Sequence, residues 1–255
     1  MLLALDVGNT NIKVGIYREG LLCHSWRLAT DVHRTSDEYG VQMEAFFGHL
    51  GLSMSSIDGI IMSSVVPSIN YTIEHMCRLY FSGLKPMIVG AGLTTGLINR
   101  YDNPEALGSD RLCNAAFAYY KYGGPCVAID FGTATNFSVV SEKGEFLGGV
   151  ICPGMRVSTD ALIENAAMLP KIDFIKPDRI ICSNPEDAIR AGIINGYVGQ
   201  VEHIIGLIFE ELGMKATVIA TGGMSTLIAQ QSSAINILDP LLTLDGLAYI
   251  YRLNA

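Results

Sequence analysis

The chain has 255 residues, 49% hydrophobic and 16% charged, enough apolar material for one large core or two modest ones, which excludes disorder as the main theme. Its 25 acidic residues outnumber 17 Lys and Arg, for a formal charge of -8, and no basic block stands ready to neutralise a run of phosphates, so nucleic acid is excluded as the primary partner. No apolar stretch reaches bilayer length, the run from Met1 to Leu5 stops at Asp6, and the scattered cysteines lack zinc-site spacing; the chain reads as soluble, cytoplasmic, untargeted and independent of membranes, with reduced thiols.

LALDVGNTNIKVGIY (Leu3 to Tyr17) opens as an apolar strand ending in Asp6, a polar turn containing Gly8, and a second apolar strand. Leu21 to Arg27 follows as a third strand. The periodicity then turns helical and alternates: Ser36 to Leu50 as helix, Gly59 to Ser63 as strand, Ile69 to Phe81 as helix, Met87 to Val89 as strand. Ser109 reads as a helix N-cap with Asp110 in the first turn. VAIDFGTATNFSVV (Val127 to Val140) repeats the opening plan with Asp130 at the strand end, and Phe146 to Ile151 is its third strand. A helix from Asp187 to Leu212, a strand from Ala216 to Ala220, a helix from Met224 to Gln230, a strand from Ile235 to Leu238 and a closing helix from Pro240 to Arg252, with Pro in its first turn, complete the second half. The expectation is a duplicated α/β domain, joined near residues 105–125 and divided as 1–115 and 116–255, with a cleft between the copies.

The turns can support phosphate chemistry. Gly8 permits close backbone approach, Asn9, Thr10 and Asn11 supply polar groups, Lys13 adds a positive charge, and Asp6 suits Mg²⁺ and its waters better than it suits phosphate. The second copy offers Asp130, Gly132, Thr133 and Thr135, and the offset that matches the two Asp residues puts Phe137 in the place of Lys13. No Gly-Lys dipeptide exists for a P-loop, GAGLTTG (Gly90 to Gly96) has the wrong spacing for a Rossmann turn, and neither HExxH nor GxSxG occurs. Phosphoryl transfer or phosphate hydrolysis leads the remaining classes. Asp110 and Arg111 offer a base and a cation for it, plain helix capping being the alternative.

As an ordered set, DVGNTNIK (Asp6 to Lys13), RTSDEY (Arg34 to Tyr39), SSVVPS (Ser63 to Ser68), YDNPEALGSDR (Tyr101 to Arg111), DFGTAT (Asp130 to Thr135), GGVICPGM (Gly148 to Met155), ATGGM (Ala220 to Met224) and DPLLTLDGL (Asp239 to Leu247) resemble the type III pantothenate kinases nearly end to end. That family belongs to the acetate and sugar kinase, Hsp70 and actin superfamily, so the resemblance implies two actin-like (ribonuclease H-like) α/β domains with a nucleotide cleft between them. It implies phosphorylation of pantothenate by ATP and Mg²⁺, opening coenzyme A synthesis, in a homodimer whose substrate site borrows from the neighbouring subunit.

Residue by residue, the resemblance places Asp6, Gly8, Asn9, Thr10, Asn11, Lys13 and Thr133 on ATP, Asp130 on a monovalent cation (K⁺ or NH₄⁺), and Tyr101, Gly108, Ser109, Asp110 and Arg111 on pantothenate, with Asp110 the catalytic base. Gly222 and Gly223 match the Gly pair near the adenine, although a plain strand-to-helix turn would need the same residues. Two positions depart from the family pattern. Pro185 stands where a Thr hydroxyl contacts pantothenate, and Asn136 replaces a second Thr after DFGTAT. Two further readings stay open beside the kinase of pantothenate: a regulatory member like the Bvg accessory factor, and a kinase of another small hydroxyl acceptor.

Overall fold

The computed structural model describes every residue from Met1 to Ala255. In the first unit, β1 (Leu2–Val7), β2 (Asn11–Arg18) and β3 (Leu21–Ala29) form an antiparallel meander. β4 (Gly59–Ser64) and β5 (Met87–Ile88) add in parallel beyond β1, giving the order β3-β2-β1-β4-β5. β1 is buried almost throughout, which is why it reads as an unbroken apolar run, whereas the edge strand β3 alternates. β6 (Ile98–Asn99) is a two-residue strand further along.

The parallel steps are made by helices. α1 (Ser36–His49) starts at a capping box: Thr35 accepts from the Glu38 backbone N–H while Glu38 accepts from the N–H and the hydroxyl of Thr35, and these last two bonds hold the Glu38 carboxyl below its ordinary pKa. Its buried Tyr39, Met43 and Phe47 recur every fourth residue, as do Ile69, Ile73 and Cys77 of α2 (Pro67–Tyr80), so each helix turns one stripe toward the sheet core. Full burial of such a side chain is worth roughly 1.5–3 kcal/mol.

The second unit repeats this order. β7 (Cys126–Phe131), β8 (Ala134–Val140) and β9 (Glu145–Pro153) form the meander, and β10 (Thr217–Thr221) and β11 (Ile237–Leu238) follow in parallel beyond β7. Its helices are α4 (Met155–Asn165), which the sequence reading missed, α5 (Pro185–Leu212) and α6 (Ser225–Ala229). The core gathers Val127, Ile129, Phe137, Val201, Ile205 and Val218. All six cysteines are free, and burial pushes the Cys77 and Cys126 thiols up to about 12. No helix is long and apolar enough to cross a membrane.

The division differs from the expected break at 115/116. α3 (Ser109–Tyr122) runs through that point, and α7 (Leu242–Asn254) packs on β1, β2 and β4, so the compact units are Met1–Lys121 with Leu241–Ala255, and Tyr122–Pro240. An amphipathic stripe announces that a helix will be buried, not against which sheet. Here Gly59 decides: a Cβ there would lie 2.1 Å from the Tyr251 hydroxyl, so only glycine leaves the slot that Tyr251 fills. Tyr17 also donates to Asp245 Oδ1 at 2.7 Å. Pro240 precedes the closing helix instead of standing in its first turn.

α7 crosses α3 at a second glycine, where a Cβ on Gly246 would stand 2.4 Å from the Cys113 carbonyl oxygen. Gly246→Ala should therefore lower stability by about 1–3 kcal/mol through overpacking, despite the ~1 kcal/mol helix preference of Ala. Gly48→Ala, in open space on α1, should instead stabilise by up to ~1 kcal/mol. Thermal melts of the two variants check the opposite signs.

Candidate active site

The β1–β2 hairpin builds the first half of the site. Antiparallel register sets Asp6 directly opposite Lys13, and the side chains meet at 3.0 Å, with Asp6 buried and Lys13 about a quarter exposed. Beyond them Gly8 donates its N–H to the Asn11 carbonyl at 3.1 Å, closing a turn whose Asn9, Thr10 and Asn11 are exposed. An acid and an ammonium thus sit at the mouth of a polar loop with no bulky side chain at its start.

Parallel pairing places Ser63 of β4 beside Asp6 and Ser64 beside Val7. The buried Ser109 hydroxyl fastens α3 to this strand end, lying 2.9 Å from Ser63 Oγ, accepting from the Ser64 N–H at 3.0 Å and donating to the Ser64 carbonyl at 3.1 Å. Ser109 is therefore not the expected N-cap. Its hydroxyl is spent on β4, and the Gly108 carbonyl accepts the first helical bond, from Leu112 at 3.1 Å. Gly108 also makes room for Asp110, since a Cβ there would fall 2.7 Å from its Oδ1.

Asp110 Oδ1 accepts from the Arg111 N–H at 2.8 Å, and the buried Arg111 guanidinium lies over the Tyr101 ring, 5.7 Å from its centre. Burial first, and then the negative charges of Asp6 and Asp110, push the Cys113 thiol well above its ordinary pKa. The first unit thus gathers Asp6, the polar loop, Lys13, Tyr101 and the stretch from Gly108 to Arg111.

In the second unit Asp130, next to last in β7, is in register with Asn136, and Phe131 pairs with Thr135. The turn between these pairs holds one residue fewer than its counterpart, so Asn136, not Phe137, occupies the place of Lys13. Because side chains alternate with period two, the one-residue slip sends Phe137 into the core, where it is fully buried like Val14. Gly222 (φ +93) presses on the Asp130 carboxylate, and a Cβ there would stand 2.4 Å from Oδ1. Gly223 faces open space. The strand-to-helix turn accounts for Gly222 and leaves Gly223 available to a ligand. Thr133 is exposed at the turn, and Thr135 is buried against the Tyr197 hydroxyl.

Pro185 is the first residue of α5 and exposed, behind Asn184, whose side chain caps the Asp187 N–H at 2.9 Å. Proline suits that position, having no N–H to leave unpaired. No group of three or more His, Cys, Asp or Glu side chains forms a metal cage. Asp6 fits Mg²⁺ of the kind held by one or two carboxylates together with substrate phosphates, and Asp130 offers the oxygen donor that a hard cation takes. A cleft of about 720 Å³ lies at the opposite end of β1, around Leu2, Tyr17 and Tyr249, and contains none of these residues. Of its acids Glu19, Asp58 and Asp245, the last two are already bonded, to the Met1 ammonium and the Tyr17 hydroxyl, so chemistry and not size locates the site.

Three comparisons bear on identity. A solved protein from Campylobacter jejuni, proposed to be a Baf family transcriptional activator, superposes with a TM-score of 0.61 at 18% identity, over 98% of this chain and 97% of its own. Component A of the (R)-2-hydroxyglutaryl-CoA dehydratase of Acidaminococcus fermentans gives 0.58 at 15% identity, over 98% and 95%. At these identities the likeness establishes the two-domain α/β fold alone. A type III pantothenate kinase of Bacillus cytotoxicus is 48% identical over all 255 residues, covering 97% of that protein, and the family model for type III pantothenate kinase matches residues 2–206. The chain belongs to the type III pantothenate kinase family.

Proposed function

We propose that the protein transfers the γ-phosphoryl group of ATP to the 4′ hydroxyl of pantothenate, the first step of coenzyme A synthesis, in the cytoplasm. The observation that carries this reading, beyond family membership, is that Asp6 and the start of the helix bearing Asp110 are fastened to one strand end, Asp6 by its register with Ser63 and the helix by the Ser63–Ser109 bond. Phosphoryl transfer needs a group to accept the proton of the attacking hydroxyl and a charged cradle for the phosphates, and the two acids divide those tasks. Asp110, oriented by its bond from the Arg111 N–H, takes the hydroxyl proton as the new O–P bond forms and ADP departs. Tyr101 and the stretch from Gly108 to Arg111 hold the acceptor. The loop from Gly8 to Asn11 and the Lys13 ammonium bind the phosphates, and Asp6 anchors the waters of Mg²⁺. Mg²⁺ carried with ATP supplies charge neutralisation at the phosphates. Thr133 contacts ATP, and Gly222 and Gly223 lie near the adenine.

Asp130 holds a monovalent cation, K⁺ or NH₄⁺. With purified protein, pantothenate and MgATP, mass spectrometry should detect phosphopantothenate, at a rate several-fold higher in K⁺ or NH₄⁺ than in tetramethylammonium, and Asp130→Ala should erase the difference while raising the KM for ATP. Equal rates in all cations would remove the cation from the account. Absence of product would remove pantothenate.

A homodimer is supported by α5, where Gly192, Gly196, Gly199 and Gly206 are exposed under open space and would let a second copy approach closely. Sedimentation at micromolar concentration should show twice the 27.5 kDa chain mass, and a monomer would contradict this. The exposed Pro185 favours a variation on the acceptor site. Pro185→Thr should lower the KM for pantothenate several-fold with kcat nearly unchanged, reflecting one restored hydrogen bond of about 0.5–1.5 kcal/mol. An unchanged KM would mean that this position does not touch the acceptor, and a preference for a different hydroxyl compound would favour the second kinase reading.

A further inference from the structure

We infer that Thr30, the residue immediately after β3, is the positioning residue of the phosphate loop, an inference that rests on the nucleotide half of the reading above. Thr30 makes two bonds to the turn from Gly8 to Asn11. Its hydroxyl donates to the Gly8 carbonyl at 2.6 Å and its N–H to the Thr10 carbonyl at 3.1 Å. A trans peptide plane points the N–H of the next residue opposite to its carbonyl. Drawing both carbonyls toward β3 therefore turns the N–H groups of Asn9 and Asn11 away from it. Backbone N–H groups turned the same way are what a phosphate oxygen binds, so one side chain and one amide preset the loop before the nucleotide arrives.

The second unit shows what the hydroxyl adds. There the residue after the third strand is Gly154, and its N–H donates to the Thr133 carbonyl at 2.9 Å, the same bond that Thr30 makes to Thr10. A Cβ on Gly154 would stand 2.4 Å from the carbonyl oxygens of both Gly132 and Thr133. The shorter second turn thus closes directly on the backbone of a glycine, and the longer first turn closes on a threonine side chain. The difference of one residue in the turn is matched by the difference of one side chain at the clamp. This assigns the preset phosphate cradle to the first loop alone.

The test compares Thr30→Val, which keeps the N–H and the shape but replaces the hydroxyl by a methyl group, with Thr30→Ser, which keeps the hydroxyl. MgADP affinity by calorimetry and both KM values are measured on the full chain, with thermal melting as the control. Thr30→Val should weaken MgADP binding and raise the KM for ATP about three- to ten-fold, the range of one lost hydrogen bond, with the pantothenate KM within two-fold of wild type. Thr30→Ser should restore both nucleotide constants. Unchanged nucleotide affinity in Thr30→Val would overturn the assignment. So would a parallel loss of both KM values and melting temperature, which would mark Thr30 as part of the framework only. If wild-type protein leaves pantothenate unphosphorylated while Thr30→Val still loses MgADP affinity selectively, the assignment of Thr30 stands and the acceptor reading falls.

Discussion

The parallel pairing of β1 with β4 is the constraint on which the first half of the site depends. It sets Ser63 beside Asp6, and through the Ser109 hydroxyl it fixes the start of α3, and hence Asp110, to the same strand end. Two acids served by one strand end each need a partner. Here Lys13 meets Asp6 and the first-turn amide of Arg111 meets Asp110, so each charge has its own compensation. Their combined field reaches the buried Cys113, whose thiol is kept neutral by burial and by both neighbours. A polar clasp of three short bonds between serines costs little, because every donor and acceptor in it is satisfied.

Duplication gave the chain two sheets of one strand order and two turns that differ in use. The first turn is longer and carries an ammonium in register with its acid. The second is one residue shorter and carries the neutral Asn136 there. Backbone comes close around Asp130 and its turn: Gly222 on one side, and Gly154 against the neighbouring turn. A carboxylate among backbone atoms suits a weakly held cation, and a carboxylate beside an ammonium suits a phosphate-bearing ligand.

Much of this was legible in the sequence where local chemistry decides the outcome. Both Asp-bearing strands and the Gly turns follow from residue type and spacing. The pairing of Asn136 with Asp130 was legible too, had alternation been followed across the turn instead of a fixed offset, because Phe137 then falls in the apolar slot of Val14. Other features lay beyond reach for a physical reason. Whether Ser109 caps its own helix or bonds β4 depends on a strand 46 residues away in the chain. The destination of α7 depends on a slot left by Gly59, and the role of Thr30 on the reach of one hydroxyl to a turn 22 residues earlier. Long-range complementarity of this kind leaves no periodic trace.

In the proposed reaction Asp6 and Asp110 do different work, Asp110 taking the proton and Asp6 serving the nucleotide side. The most direct measurement is kcat and MgATP affinity for Asp110→Asn and Asp6→Asn determined side by side. Removal of a positioned base costs ~10²-fold or more in rate. Asp110→Asn should therefore lose kcat by about that factor while binding MgATP as wild type does, and Asp6→Asn should lose MgATP affinity. An Asp110→Asn variant that keeps more than about a tenth of wild-type kcat would contradict the division of labour on which the account stands.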